Sequence, residues 1–223
     1  GQGRAPDDPR WPMTLPLAWR WTIWLLAPLL AGCGPFFEEI AERRSQYAAQ
    51  GDGPIVLAVV DTDAGSEIIK GVRLAIEDIL ADGEMLGRPV ELLVRSGGND
   101  FQDLRPTVQR LASNPRVTAS LGHPQPGVAV PASVIYEQSR TMFMPAFATS
   151  TELTRHGFRF VLRMLPDDRV MTAQTASVAA LFGYRRVVVL HQVEDDDRKT
   201  AYLFEDFARF FDIEVPFRAS FFG

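Results

Sequence analysis

The stretch "PIVLAVVDTDAGSEIIKGVRLAIEDIL", Pro54 to Leu80, carries two different hydrophobic periods on either side of a short polar segment. "PIVLAVV" is a continuous apolar run, the pattern of a strand covered on both faces. Beyond "DTDAGSE", apolar residues fall at Ile68, Ile69, Val72, Ala75, Ile76, Ile79 and Leu80, which is one face of a helix. A fully buried strand followed at once by an amphipathic helix is the start of a βαβ unit.

The same alternation recurs along the chain. Strands are predicted at Pro89 to Val94, Arg116 to Gly122, Thr141 to Phe147 and Arg159 to Leu165, with helices from about Phe101 to Ser113 and Gly127 to Ser139. A helix with Val170, Ala173, Ser177, Ala180 and Leu181 on one side then leads to a strand at Tyr184 to His191. A helix with Leu203, Phe204, Phe207, Phe210 and Phe211 follows, and a final strand at "IEVPFRASF". The fold class is therefore α/β, with doubly wound parallel sheets and helices on both faces. A boundary near Pro166 divides an N-terminal lobe, 54–165, from the start of a second, incomplete lobe, 166–223. Three elements do not cover a sheet on both faces, so Phe204, Phe207, Phe210, Phe211, Phe217, Phe221 and Phe222 are expected to be partly uncovered.

Of the 223 residues 46% are hydrophobic and 23% charged, a globular composition that sets disordered and fibrous classes aside. Net charge is −5 with Lys and Arg scattered, which leaves no electrostatic footprint for nucleic acid. His123, His156 and His191 are isolated, and no metal is expected. No phosphate-binding loop, G-x-S-x-G elbow or acid-base pair appears, so neither a cofactor nor catalytic residues are assigned and the chain is not read as an enzyme.

Residues 1–12 read as an upstream extension, untranslated or disordered. "MTLPLAWRWTIWLLAPLLAGC" then places Arg20 before an apolar run from Trp21 to Leu30 and a small-residue finish, the layout of an export signal over 13–32. The run is too short to span a bilayer and Pro28 interrupts it. Its end, "LAGC", resembles the lipobox of bacterial lipoproteins, which implies cleavage before Cys33 and acylation of its sulfur. A lone cysteine is otherwise out of place in an exported protein. Residues 33–53 are then an acylated cysteine and a tether, with a short helix in "GPFFEEIAERRSQYAAQGDG", and the protein sits on the periplasmic or cell-surface side of a bacterial membrane, held to the bilayer through Cys33.

In open α/β sheets ligands bind beyond the carboxyl ends of the strands. Those positions are "DTDAGSE", "SGGND", "GHPQPG", "AFATSTEL" and "HQVEDDDR". Around them the order "IEDI", "LGR", "GH", "PAS-IY" and "ATSTELT-HGF", from about Ile55 to Phe217, resembles the type 1 periplasmic binding proteins of the leucine/isoleucine/valine-binding family. The resemblance implies a two-lobed, lipid-anchored solute receptor that delivers a small polar, amino-acid-like solute to an ABC permease in the membrane. The alternative is a sensor or carrier lipoprotein of the same fold, for a different and even apolar ligand, with no uptake role.

Carried onto this chain, the family's ligand loops place Ala148 and Thr149 against a polar head group, with Asp61, Thr62, Ser66 and Gln125 as further contacts and Asp196 from the second lobe. Two departures matter. Pro126 stands where a serine hydroxyl is expected, and Asp195, Asp196 and Asp197 stand where a covering tyrosine is usual. The three Asp residues also suit a solvated loop capping the next helix. Weak or no leucine binding is expected, because a zwitterion's charged head loses a donor. His123 is expected to pack at a strand end, Arg163 to brace the crossover, and Met142, Phe143 and Met144 to be core.

Overall fold

The computed structural model describes residues 35–63, 66–81, 83, 85–98, 100–123 and 125–222. The export signal and Cys33 lie outside the described residues. The element order is α1 (Pro35–Gln50), β1 (Ile55–Asp61), α2 (Glu67–Ala81), β2 (Val90–Ser96), α3 (Phe101–Ala112), β3 (Val117–Gly122), α4 (Pro126–Gln138), β4 (Met142–Pro145), α5 (Glu152–Arg155), α6 (Asp168–Leu181), β5 (Arg186–Gln192), α7 (Asp195–Phe210) and β6 (Glu214–Phe221). Strands β1 to β4 form a sheet in the order β2-β1-β3-β4, and β5 pairs with β6. Every one of these pairings is parallel.

Alternate residues of β1 face one core. Val56, Ala58 and Val60 join Leu104, Val108, Leu111 and Ala112 of α3 and Val128, Ala129, Ala132 and Tyr136 of α4 in a continuous buried cluster. Val59 and Ile69 are buried outside it. The rest of the apolar stripe on α2 stays open, with Leu74, Ile79 and Leu80 exposed, because the helix lies on β1 and β2 at the β2 edge of the sheet. Asp100 caps α3 and Asp167 caps α6, each carboxylate accepting a first-turn amide, from Gln102 at 2.6 Å and from Val170 at 2.9 Å.

Four expectations are corrected. The strand over Arg159 to Leu165 is reduced to one parallel bridge, Val161 to Phe143. Its partner β4 is four residues long and ends at Pro145, which has no amide to donate. The amides of Arg159 and Phe160 go instead to the Glu137 carboxylate.

The helix predicted within the 33–53 tether forms, but from Phe37 onward it is docked rather than free. Ile40 and Ala41 are buried, and Arg44, 8% exposed, donates through its guanidinium to the carbonyls of Ala112, Asn114, Val117 and Ser139. On α6 the buried residues are Thr172 and Ala176, facing Ala201 and Ala208 of α7, while Val170 and Leu181 are exposed. Small residues there let the two helices approach closely, which outweighs the larger apolar side chains. Phe143 is core, but Met142 on the edge strand β4 is exposed.

In the β5–β6 sheet, Val188, Leu190, Phe217 and Phe221 are exposed, with Phe222 just after β6 and Phe210 on α7. Phe204, Phe207 and Phe211 are half-buried, as the short second lobe led us to expect. Arg218 of β6 ties this sheet to α7, its guanidinium 3.9 Å from the Tyr202 ring centroid and 2.9 Å from Glu205.

Candidate functional site

The carboxyl ends of β1, β3 and β4 are adjacent, and the loops leaving them are held by continuing the ladder. His123 N–H donates to the Val60 carbonyl at 3.0 Å, Ala146 N–H to Gly122 at 3.1 Å, and Gly97 N–H to Asp61 at 3.0 Å. Gly122 makes this possible. At φ +109° a Cβ there would lie 1.9 Å from the Val60 carbonyl oxygen, so only glycine lets the β3 loop cross so close to β1.

Asp61, Thr62, Gln125, Ala148 and Thr149 therefore share one edge of the sheet. Asp61 is 7% exposed, and its carboxylate accepts the Thr62 amide at 2.7 Å and the Thr62 hydroxyl at 3.4 Å. Ser66 sits at the start of α2, its hydroxyl 3.5 Å from the Ile69 amide. Gln125 is the residue before α4, Ala148 is buried, and the Thr149 carbonyl accepts the Asp168 amide at 2.9 Å. Arg163 also braces this crossover, through the Ser150 carbonyl.

Pro126 is the first residue of α4. It brings neither a hydroxyl nor an amide proton, and the amides of Val128 and Ala129 both turn to the Gln125 carbonyl. The start of this helix is thus poor in donors for an anionic head.

Beneath these loops lies a group that the sequence presents only as a packing histidine. His123 is 1% exposed, its ring beside Tyr136 and Phe143 at centroid distances of 5.9 and 5.5 Å, with those two rings 4.9 Å from each other. Ser120 Oγ donates to Tyr136 Oη at 3.0 Å, and Tyr136 Oη lies 3.1 Å from His123 Nε2. His123 Nδ1 is buried with no protein partner among the described residues. Burial lowers the His123 pKa to about 4 against an opposing pull from Asp61, and burial pushes the Tyr136 phenol up.

At the carboxyl end of β5 and β6, a cavity of about 420 Å³ is lined by Thr172, Thr175, His191, Gln192, Asp197 and Thr200, among others. Asp196 is beside it in sequence, but its carboxylate pairs with Lys199 at 3.0 Å on the first turn of α7, and Asp195 pairs with Arg198 at 2.6 Å. Glu194, not one of the three Asp residues, is the N-cap. The threonines escape sequence reading because they lie on helices, where isolated polar residues look like solvent-facing positions.

Parallel sheets with polar loops gathered at their carboxyl ends fit the fold of a type 1 periplasmic binding protein, which is the fold of the proteins this chain resembles. The chain belongs to the family described as receptor family ligand binding region, whose model matches residues 70–222. It is 28% identical over 181 residues to the Leu/Ile/Val-binding protein homolog 7 of Brucella suis, covering 81% of this chain and 42% of that protein. An ABC transporter substrate-binding protein of Desulfitobacterium hafniense, solved in complex with Leu, superposes with a TM-score of 0.70 at 27% identity, over 76% of this chain and 51% of that one. The leucine-binding protein of Thermotoga maritima shares the fold, with a TM-score of 0.64 at 22% identity over 75% of this chain and 49% of that one. The chain spans about half the length, or less, of these relatives.

Proposed function

We propose that this chain is the ligand-binding part of a lipid-anchored extracytoplasmic receptor that hands a small polar solute to an ABC importer. The observation that carries the reading is the shared edge formed by Asp61, Thr62, Gln125, Ala148 and Thr149 at the carboxyl ends of three neighbouring parallel strands. Membership of a solute-receptor family supports it, as do relatives named for amino-acid binding and ABC transport. Ser66 contributes from the start of α2, and Asp196 from the first turn of α7.

The chemistry of the edge favours a solute with an amine or hydroxyl over a free zwitterionic amino acid. Asp61 supplies a nearly buried negative charge, while Pro126 removes donors from the start of α4, where a carboxylate would otherwise sit. Calorimetry on the full-length receptor is expected to show no saturable heat with micromolar leucine. A thermal-shift panel is expected to find its stabilising ligands among amines and polyols, since a solute that binds only the folded state raises the melting temperature by mass action. Micromolar leucine affinity would overturn this specificity, and a panel without any shift would count against the receptor reading itself.

Anchoring has its own test. Cys33→Ser is expected to release the protein into the soluble fraction or leave it unprocessed, because the acylated sulfur is the proposed attachment. Normal processing with unchanged membrane attachment would remove the lipid anchor from the proposal.

A further inference from the structure

At the opposite, amino-terminal end of the four-stranded sheet is a cavity of about 530 Å³, lined by Arg44, Arg88, Arg140 and Arg159 together with apolar groups that include Met142 and Phe160. No acidic side chain lines it among the described residues. A cavity lined by four arginines and apolar groups without a carboxylate carries positive charge that no described side chain in its lining offsets.

The four arginines divide by role. Arg44 is held by main-chain carbonyls, and the Arg88 Nε donates to the Gly53 carbonyl at 2.6 Å with its guanidinium 5.9 Å from the Tyr47 ring centroid. These two supply fixed positive charge. Arg140 and Arg159 are exposed residues of the lining.

Arg140 occupies the left-handed position that ends α4, at φ +53°. Its amide donates to the Glu137 carbonyl at 3.0 Å, and the Thr141 amide to the Tyr136 carbonyl at 2.9 Å. Glycine is the undemanding residue at such a helix end. An arginine there accepts backbone strain and in return places a cationic fork at the cavity.

We propose that this cavity is a second binding site, separate from the solute edge, for an amphiphilic anion: a negatively charged oxygen head group held by Arg140 and Arg159, joined to an apolar chain lying along Met142 and Phe160. The inference stands independently of the solute reading, because none of its residues belongs to that edge.

The test is calorimetric titration of the full chain with octanoate and with dihexanoyl phosphatidylglycerol, each below its micelle concentration. Inorganic phosphate serves as the head alone and octyl glucoside as the neutral chain. At least one anionic amphiphile is expected to saturate a single site, and which one does so separates a free fatty anion from a lipid head group. The double variant Arg140→Gly, Arg159→Gln is expected to weaken that binding about tenfold or more, since it removes charge-assisted donors. Its melting temperature is expected to hold or rise, because glycine relieves the left-handed position. The proposal is overturned if neither amphiphile binds, if octyl glucoside or phosphate alone binds as tightly, or if the double variant binds as the parent does.

Discussion

Replacing Arg44 by Met is expected to destabilise the protein by about 4 kcal/mol, the largest loss from any single side chain of α1. The guanidinium reaches the carbonyls of Ala112 and Asn114 at the end of α3, of Ser139 at the end of α4, and of Val117 at the start of β3. Carbonyls at helix ends lack intrahelical donors and carry the negative pole of the helix dipole, so one buried cation satisfies two helices at once. Burial lowers the Arg44 pKa to about 10, which still leaves it charged at neutral pH. The Asn114 carbonyl keeps the Val117 amide at 3.1 Å, but methionine, which fills much of the volume, takes the guanidinium away from the Ala112, Val117 and Ser139 carbonyls, and each buried acceptor left unpaired costs about 1–3 kcal/mol.

Lysine is expected to recover less than half of the loss, because a single ammonium cannot span acceptors that the planar fork reaches. Arg43 is the control. It is exposed and pairs only with exposed Glu39, so Arg43→Ala is expected to change stability by no more than about 0.5 kcal/mol. For a domain of this size the Arg44→Met loss corresponds to a fall in melting temperature of roughly 8–16 °C. Similar melting temperatures for the Arg43 and Arg44 variants would show that α1 is not clamped as described.

That pair of neighbours also marks how far the sequence is legible. "AERRS" shows two adjacent arginines on a polar helix and nothing to rank them, because the decisive fact is which one the helix rotation aims at three carbonyl-bearing chain ends. The strands and helices were readable, since a parallel α/β sheet imposes apolar runs on strands and a 3.6 period on helices, and both patterns are strong here. The predicted strand at Arg159 to Leu165 misled for a local reason: its apolar run is real, but Pro145 ends the neighbouring strand and Glu137 takes the amides. On α6 the apolar stripe misled because the close contact with α7 is made by Thr172 and Ala176.

The solute edge was legible in part. Chain order places loops at the carboxyl ends of strands, and the resemblance to the family singles out Asp61, Thr62, Gln125, Ala148 and Thr149 among the residues proposed there. The cavity at the second sheet depends on Thr172, Thr175 and Thr200, which come together only when two helices pack across β5 and β6. The hydrogen-bonded set of Ser120, Tyr136 and His123 likewise joins β3, the turn after it and α4, and no spacing in the sequence announces it.

This set yields the second large effect, a loss of stability on acidification. His123 is buried and neutral, with a pKa of about 4 in the folded protein against an ordinary value of 6.5. Above pH 6.5 neither state binds the proton, and the stability difference is at its full value. Between pH 6.5 and 4 the unfolded chain takes up a proton that the folded protein refuses, so stability falls as the pH falls, by about 3 kcal/mol over the window and no further below it. His123→Asn removes the titration while tolerating the left-handed backbone at this position, φ +49°. The variant loses packing against Tyr136 and Phe143, so it starts less stable at pH 7. Carboxylates remote from His123 contribute alike to both proteins, so the difference between their denaturation curves reports the histidine: the gap in unfolding free energy at pH 7 should narrow by about 3 kcal/mol at pH 4. Parallel curves across that range would mean that His123 takes up its proton in the folded state, and that the cleft above it admits water to the ring.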